Sequence, residues 1–482
     1  VNFKIVIHLI SFLLMMLAVV MSVVAGVSYL MADQMNVWRG MLISAAITLA
    51  SGIALWFFTR TSVELSRREG IGIVVFGWLS AIVFGSLPFL LCGAMNGFVD
   101  AFFESSSGLT TTGASVMSDL ENHSRAILLW RACLHLLGGM GILVLVVAII
   151  PYLGVGGMQI YRAEVTGPSK DRLTPRIAST AKLLWGVYML MNVVLILLLK
   201  FGGMDWFDSV CHSFATISTG GFSTRSASIS AFNSVYIETV IIIFMLLSGI
   251  NFALHFKALR GDVGAYYKDS ECRFYIGFWM VCIALMVFNL TSHHALSLRD
   301  AIRHSTFYVT SLMTTTGFNT VDYDQWPALS KFIILLLFVA GGCAGSTAGG
   351  LKHIRIILLI KKMGRIIRSF LNPQAVYTIK LSKQIVPPEI VFNVAVFFFI
   401  YMCTLAVGSL AMSFFTEDLA TAVSATYSAV GNIGPGFSTV GPMMNYAHLP
   451  GAAKMVLALL MMVGRLEFYT VLVVFLPNFW RK

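Results

Sequence analysis

Thr314-Thr315-Thr316-Gly317-Phe318-Asn319-Thr320 is a short polar run with one glycine, set among apolar residues. Its chemistry is that of oxygen: hydroxyls and backbone carbonyls that can replace water around a small cation. The run recurs along the chain. Thr110-Thr111-Thr112-Gly113 is a near copy, and Ser218-Thr219-Gly220-Gly221-Phe222-Ser223-Thr224 is a second. Val430-Gly431-Asn432-Ile433-Gly434, followed by Gly436-Phe437-Ser438-Thr439, is a looser third. The aligned glycines Gly113, Gly221, Gly317 and Gly434 are separated by 108, 96 and 117 residues. In the second run either Gly220 or Gly221 could be the equivalent glycine; Gly221 aligns its Gly-Phe pair with Gly317-Phe318. One Thr-Gly run belongs in any turn. Four of them, each flanked by apolar spans, predict quasi-equivalent loops around one axis. The candidate ion ligands are Thr110, Thr111, Thr112 and Gly113; Ser218, Thr219, Gly220 and Gly221; Thr314, Thr315, Thr316 and Gly317; and Asn432, Ile433 and Gly434.

Each loop needs an element to aim it. Segments 98–109, 206–217, 300–313 and 418–429 precede the loops and are too short and too polar to cross a bilayer. Backbone that stops partway through a membrane is tolerated only inside protein or against water. Short re-entrant helices meet that condition. Their C-terminal ends each carry about half a negative charge, so four converging ends favour a cation. Asp100, Asp208, Asp300 and Asp418 lie 13, 13, 17 and 16 residues before the aligned glycines. They read either as a ring concentrating cations at the mouth or as ordinary helix-start carboxylates, and the two roles are compatible.

The wider chain supplies the scaffold. Its 482 residues are 57% hydrophobic and 11% charged, with mean hydropathy +0.83; a soluble domain carries about 25% charged residues. Long apolar runs recur throughout, which predicts an all-α polytopic membrane protein. Two leading helices, 6–30 and 40–59, precede four repeats of helix, short re-entrant helix, polar loop and helix. The long spans of the repeats are expected at 70–92 and 124–150, 183–200 and 235–256, 274–291 and 329–360, and 389–413 and 452–476. The units run 1–69, 70–154, 155–260, 261–383 and 384–482, giving ten full spans and four hairpins in a pseudo-fourfold arrangement. The first span is followed by a second with no small-residue cleavage site between them, and reads as a retained helix.

Charge sets the orientation. One side of this layout holds 23 Lys and Arg and the other nine, with Arg465 inside a span. The positive-inside rule then places both termini and the repeat linkers in the cytoplasm. It also accounts for the net charge of +11 without nucleic acid. The basic linkers, with Arg162, Lys170, Arg172, Lys361, Lys362 and Lys383 among their cations, can also meet anionic lipid headgroups. Seven scattered cysteines without a CxxC pair argue against a disulfide framework or a zinc site.

Two features interrupt the spans. Gly341-Gly342-Cys343-Ala344-Gly345-Ser346-Thr347-Ala348-Gly349-Gly350 has five glycines in ten residues, which breaks the second long segment of the third repeat at membrane depth. It reads as a flexible constriction below the loops, or as a surface for close helix packing. The gate candidates are Gly345, Ser346, Thr347, Ala348, Gly349, Gly350 and Lys352, which can pair with a carboxylate or face the cytoplasm. Arg465 lies in an apolar helix, where a charge needs a cavity or a partner. It is either a positive barrier to cations or one half of a structural pair. Glu467 is two residues away and off the helix face that Arg465 occupies. Glu104 and Arg131 read as structural, and His293-His294 as the mark of an interface.

These loops, the broken helix and the arginine together resemble the Trk/Ktr/HKT superfamily of potassium transporters. The resemblance covers essentially the whole chain and is closest to the membrane subunits of bacterial Trk uptake systems. It implies potassium as the permeant ion, a selectivity filter built from the four loops, and a gating loop in the third repeat. It further implies a homodimer with one pore per subunit, a cytoplasmic TrkA-like nucleotide-binding regulatory ring, and a place in the bacterial inner membrane. Backbone carbonyls around Thr111-Thr112, Thr219-Gly220, Thr315-Thr316 and Asn432-Ile433 would hold the ion. Some plant relatives that pass sodium carry serine at the first filter glycine; Gly113 here favours potassium. The fourth loop departs from the pattern, so the pore is expected to be only approximately fourfold. A secondary transporter coupling potassium to protons or sodium is the alternative, with Glu104 and Glu467 as the acids placed to serve it. No phosphate-binding loop, nucleophile elbow or metal-ligand cluster supports an enzyme, and no organic cofactor is expected.

Overall fold

The computed structural model describes residues 2–59, 67–148, 173–293, 296–375, 377–382 and 384–480. Arg162, Lys170, Arg172, His294, Lys383 and most of the first linker lie outside the described residues. The ten expected spans resolve into four kinds. Six are continuous and long enough to cross a membrane: Phe3–Leu30, Met35–Phe58, Arg68–Leu91, Thr180–Phe201, Ser270–Ser292 and Pro388–Ser413. Arg125–Ala148 is a seventh helix that runs to the edge of the described stretch. Two spans are bent: Val235–Ser248 with Phe252–Leu259 by 103°, and Gly451–Leu466 with Phe468–Val474 by 113°. The last is broken outright, into Ala328–Val339 and His353–Leu371.

Two of the three breaks have local causes. At 249–251 the side chain of Asn251 caps the second helix by accepting from Ala253 N. At 340–352 the glycines abandon the helix and the chain folds back on itself. Gly341 N donates to Leu351 O at 3.0 Å and Leu351 N to Val339 O at 2.9 Å. At 467 the bend has neither glycine nor proline. Glu467 itself adopts φ +63, a conformation that must be imposed by its surroundings. A two-stranded antiparallel hairpin, Lys380–Leu381 with Gln384–Ile385, follows the broken segment.

The four short helices form at Phe98–Leu109, Trp206–Ile217, Leu298–Met313 and Leu419–Gly431. Two apolar cores surround them. One joins the leading helices and first repeat to the fourth repeat, from Leu17 through Phe103 and Trp130 to Leu457 and Phe479. The other joins the second and third repeats, from Tyr188 through Phe252 and Tyr308 to Phe338. The two ends of the chain meet, with the rings of Phe3 and Trp480 stacked 5.4 Å apart. This is a polytopic helical membrane protein of four pseudo-equivalent repeats plus a leading helix pair.

Candidate ion pathway

Each short helix ends in the same turn. Thr112 N donates to Ser107 O at 2.9 Å, Gly220 N to Ala215 O at 2.7 Å, Thr316 N to Ser311 O at 2.8 Å and Ile433 N to Ser428 O at 3.0 Å. This six-to-one bond is a Schellman closure, which requires a left-handed residue just before the donor. Thr111, Thr219, Thr315 and Asn432 fill that position, at φ 53, 56, 57 and 55. Asparagine tolerates this conformation; β-branched threonine resists it. Three strained threonines in equivalent places mark a turn held by its neighbours rather than by preference.

The next residue but one is glycine, and its neighbours explain why. Gly113, Gly221, Gly317 and Gly434 all have positive φ, which fixes Gly221 rather than Gly220 as the equivalent residue. A Cβ on Gly113 would lie 2.2 Å from Gly220 O; on Gly221, 1.9 Å from Thr316 O; on Gly317, 1.8 Å from Ile433 O; and on Gly434, 2.8 Å from Thr112 O. The glycine of each loop thus abuts the carbonyl of the next, and the fourth returns to the first. The four loops close a ring in chain order, with Thr112, Gly220, Thr316 and Ile433 at its contacts. The fourth contact is the loosest, as the divergent Asn432-Ile433-Gly434 sequence led one to expect.

Buried polar braces hold the ring. Glu104 and Arg131, read as structural, form an ion pair at 2.8 Å, and the guanidinium also donates to Ser223 O and Ser115 Oγ. His135, which the sequence did not single out, accepts from Phe222 N through Nε2 and bonds Gly108 O through Nδ1 at 2.8 Å. That links the first short helix to the second loop. Of the expected mouth aspartates, Asp100 pairs with Lys454 at 2.7 Å, and Asp208 pairs with Arg225 and accepts from Thr224 Oγ1. Asp300 accepts from Ser297 Oγ, and Asp418 caps its helix by accepting from Ala420 and Thr421 N. Only Asp418 caps its own helix; Asp205 and Ser297 cap the second and third short helices, and Asp100 and Asp208 are held by ion pairs to Lys454 and Arg225. Outside the membrane spans, the hydrogen bond and charge of Asp208 push Arg225 above the ordinary arginine value.

The glycine-rich break lies directly against the ring. Gly349 N donates to Thr315 Oγ1 at 2.7 Å, and Thr347 Oγ1 to Ile217 O at 2.9 Å. A Cβ on Gly349 would lie 2.4 Å from Gly431 O. The break therefore touches the second, third and fourth loops or their helices. Arg465 is 2% exposed and has no carboxylate partner among the described residues. Its guanidinium instead donates to Thr347 O at 2.8 Å and Gly138 O at 3.4 Å. Lys352 likewise turns inward and donates to Ala348 O. Glu467 is taken by Arg355, at 2.8 Å to both oxygens. Ser346, Ala348, Lys352, Arg355, Arg465 and Glu467 line one shared pocket. Two participants escaped the sequence reading: Arg355, and Glu271, whose carboxylate accepts from Ala344 N and Ile354 N.

Four left-handed turns, one at the end of each short helix, thus close a single ring within a polytopic membrane protein. The chain belongs to the TrkH family: the family model described as a cation transport protein matches residues 34–482. It is 44% identical over 441 residues to the Trk system potassium uptake protein TrkH of Escherichia coli K12, covering 90% of this chain and 91% of that one. It is 40% identical to the TrkH of Halomonas elongata over the full length of both. The fold superposes on the crystal structure of the potassium transporter TrkH from Vibrio parahaemolyticus with a TM-score of 0.92. That match has 37% identity and covers all of both chains.

Proposed function

We propose that this protein takes up potassium across the bacterial inner membrane through a channel-like pore, with both termini cytoplasmic. The observation that carries the reading is the closed ring of loop contacts at Gly113, Gly221, Gly317 and Gly434. In this reading the ring is the selectivity filter, with carbonyls around Thr111-Thr112, Thr219-Gly220, Thr315-Thr316 and Asn432-Ile433 replacing the hydration shell. Segment 345–350 is the gate, and Arg465 is a positive barrier that also holds the gate through Thr347 O. The names of the relatives, potassium uptake proteins throughout, support potassium as the ion. By family resemblance the working assembly is a homodimer with a TrkA-like nucleotide-binding partner.

The pairing of the two proposed carrier acids favours passive flux over coupling to protons or sodium. Glu104 is bound to Arg131 and Glu467 to Arg355, so neither is free to bind and release a driver ion. The test is potassium flux into liposomes driven by its own gradient, without sodium and with pH clamped. Parallel samples carry Arg465→Ala or a deletion of 345–350. Passive flux that rises in either variant agrees with the reading. Flux that needs a proton or sodium gradient in every sample returns the choice to a coupled transporter.

A further inference from the structure

Glu271 is buried, with 5% of its surface exposed, at the second position of the helix Ser270–Ser292. A carboxylate there would ordinarily face water or satisfy its own helix start. It does neither. One oxygen, Oε1, accepts from Ala344 N at 2.8 Å and from Ile354 N at 2.9 Å. Ala344 lies inside the glycine-rich break and Ile354 in the first turn of the helix that follows it, so the two donors flank 345–350. No Lys or Arg among the described residues lies within 4.0 Å of Glu271 to neutralise it. A buried carboxylate in this setting is held by the hydrogen bonds it accepts, and those donors are fixed by it in return.

The base of this contact is itself moored. Ser270, next to Glu271, shares a hydrogen bond with Ser382 through their hydroxyls at 2.7 Å, and Ser382 N donates back to Ser270 Oγ at 3.1 Å. Ser382 belongs to the hairpin, and Lys361 Nζ, from the helix after the break, donates to Lys380 O in the same hairpin. The helix that carries Glu271, the hairpin and the helix after the break thus form one connected frame. We infer that Glu271 is a positioning residue for the gate, a clasp that draws both ends of 344–354 together and holds the loop against the ring. The inference rests on 345–350 being the gate.

The test pairs flux with a local probe that lies in the loop. Cys343, 1% exposed, neighbours the residue that Glu271 holds. Glu271→Ala, Glu271→Gln and Ser382→Ala are placed in liposomes, and per-cysteine maleimide labelling is read by mass spectrometry with the other cysteines as references. Loss of a charged hydrogen bond shifts the open-to-closed ratio roughly tenfold, so Glu271→Ala raises potassium flux and Cys343 labelling by about that factor. Glu271→Gln, which keeps an acceptor without the charge, gives a smaller rise, and Ser382→Ala a smaller one still. In a chain already lacking 345–350, Glu271→Gln adds nothing to flux; an additive effect there overturns the clasp. If the deletion raises flux while both Glu271 variants leave flux and labelling at parental levels, the clasp is wrong and the gate reading stands. If the deletion leaves flux unchanged, the gate reading fails and takes the clasp with it. Should Glu271→Ala fail to fold, the Gln variant and its combination with the deletion decide the matter.

Discussion

The guanidinium of Arg355 holds both carboxylate oxygens of Glu467 at 2.8 Å, and lies 3.8 Å above the ring centre of Phe397. Arg355 lies in the first turn of the helix after the glycine-rich break. Glu467 sits at the bend of the last span, two residues beyond Arg465. One ion pair therefore joins the helix after the break to the bend of the last span, two residues from the arginine that holds the break at Thr347 O. Its side chains are 5% and 18% exposed, so it is screened less than a surface pair. Glu467→Gln is expected to lower stability by about 1–3 kcal/mol through loss of a charged hydrogen bond. It should also raise resting potassium flux, because the left-handed turn at Glu467 loses the contact that imposes it. Thermal unfolding and liposome flux check the two effects. A double-mutant cycle with Arg355→Ala separates the pair from the strain; coupling near zero would refute the link.

Much of this architecture was legible before the structure. The four loops announce themselves by recurrence, and the first two short helices have the bounds that their polar composition predicts, at 98–109 and 206–217. Legibility ended where tertiary contact overrides local preference. Gly464, three residues earlier, is the one local signal near the 113° bend at Glu467, and it does not by itself place a bend there. Glu271 reads as a first-turn carboxylate because its real partners are 73 and 83 residues away. The left-handed residues of the ring were equally hidden, since three of the four are threonines, which sequence reasoning assigns to extended backbone. The four aspartates were visible in the sequence, but partners such as Lys454 and Arg225 were not.

The glycines of the ring should differ in their tolerance of a methyl group. A Cβ on Gly317 meets Ile433 O at 1.8 Å, whereas on Gly434 the nearest atom is Thr112 O at 2.8 Å. Both positions also demand positive φ, at 78 and 106, which alone costs an alanine roughly 1–2 kcal/mol. Gly317→Ala should therefore abolish potassium flux or folding, and Gly434→Ala should retain folded protein with reduced discrimination between potassium and sodium. Size-exclusion profiles and paired rubidium and sodium uptake measure both. Equal damage from the two substitutions would show that backbone strain, rather than the neighbouring carbonyl, sets the requirement.

Acid should loosen the join between the first two loops. Glu121 accepts from Ser226 N at 2.8 Å and from Ser226 Oγ at 2.6 Å. Burial works against its charge, but the hydrogen bonds from Ser226 outweigh it and hold the carboxyl below the ordinary value. A depressed native value means that the contribution is fully present above the unfolded value of about 4.3 and is lost as pH falls through the native one. Melting temperatures measured from pH 7 down to about 3.5 should fall more steeply in the parent than in Glu121→Gln, which lacks this titration. Parallel curves would remove Glu121 from the acid response.

Asn432 is where the ring departs most from fourfold symmetry, and its side chain shows what the departure does. Its Nδ2 donates to Thr112 Oγ1 at 3.0 Å, in the first loop, and to Met461 O at 2.9 Å, in the last span. Threonine occupies the same left-handed position in the other three loops, so Asn432→Thr is compatible with the turn. It cannot reach either acceptor with the same donor. The expected cost is about 1–2 kcal/mol for two lost hydrogen bonds, with the fold intact. Because Thr112 supplies the carbonyl that Gly434 abuts, the looser fourth contact should open further and potassium-to-sodium discrimination should fall. Competitive uptake of the two ions in liposomes reads this directly. Unchanged discrimination with lowered stability would assign Asn432 to holding the loops together and leave selectivity to the backbone alone.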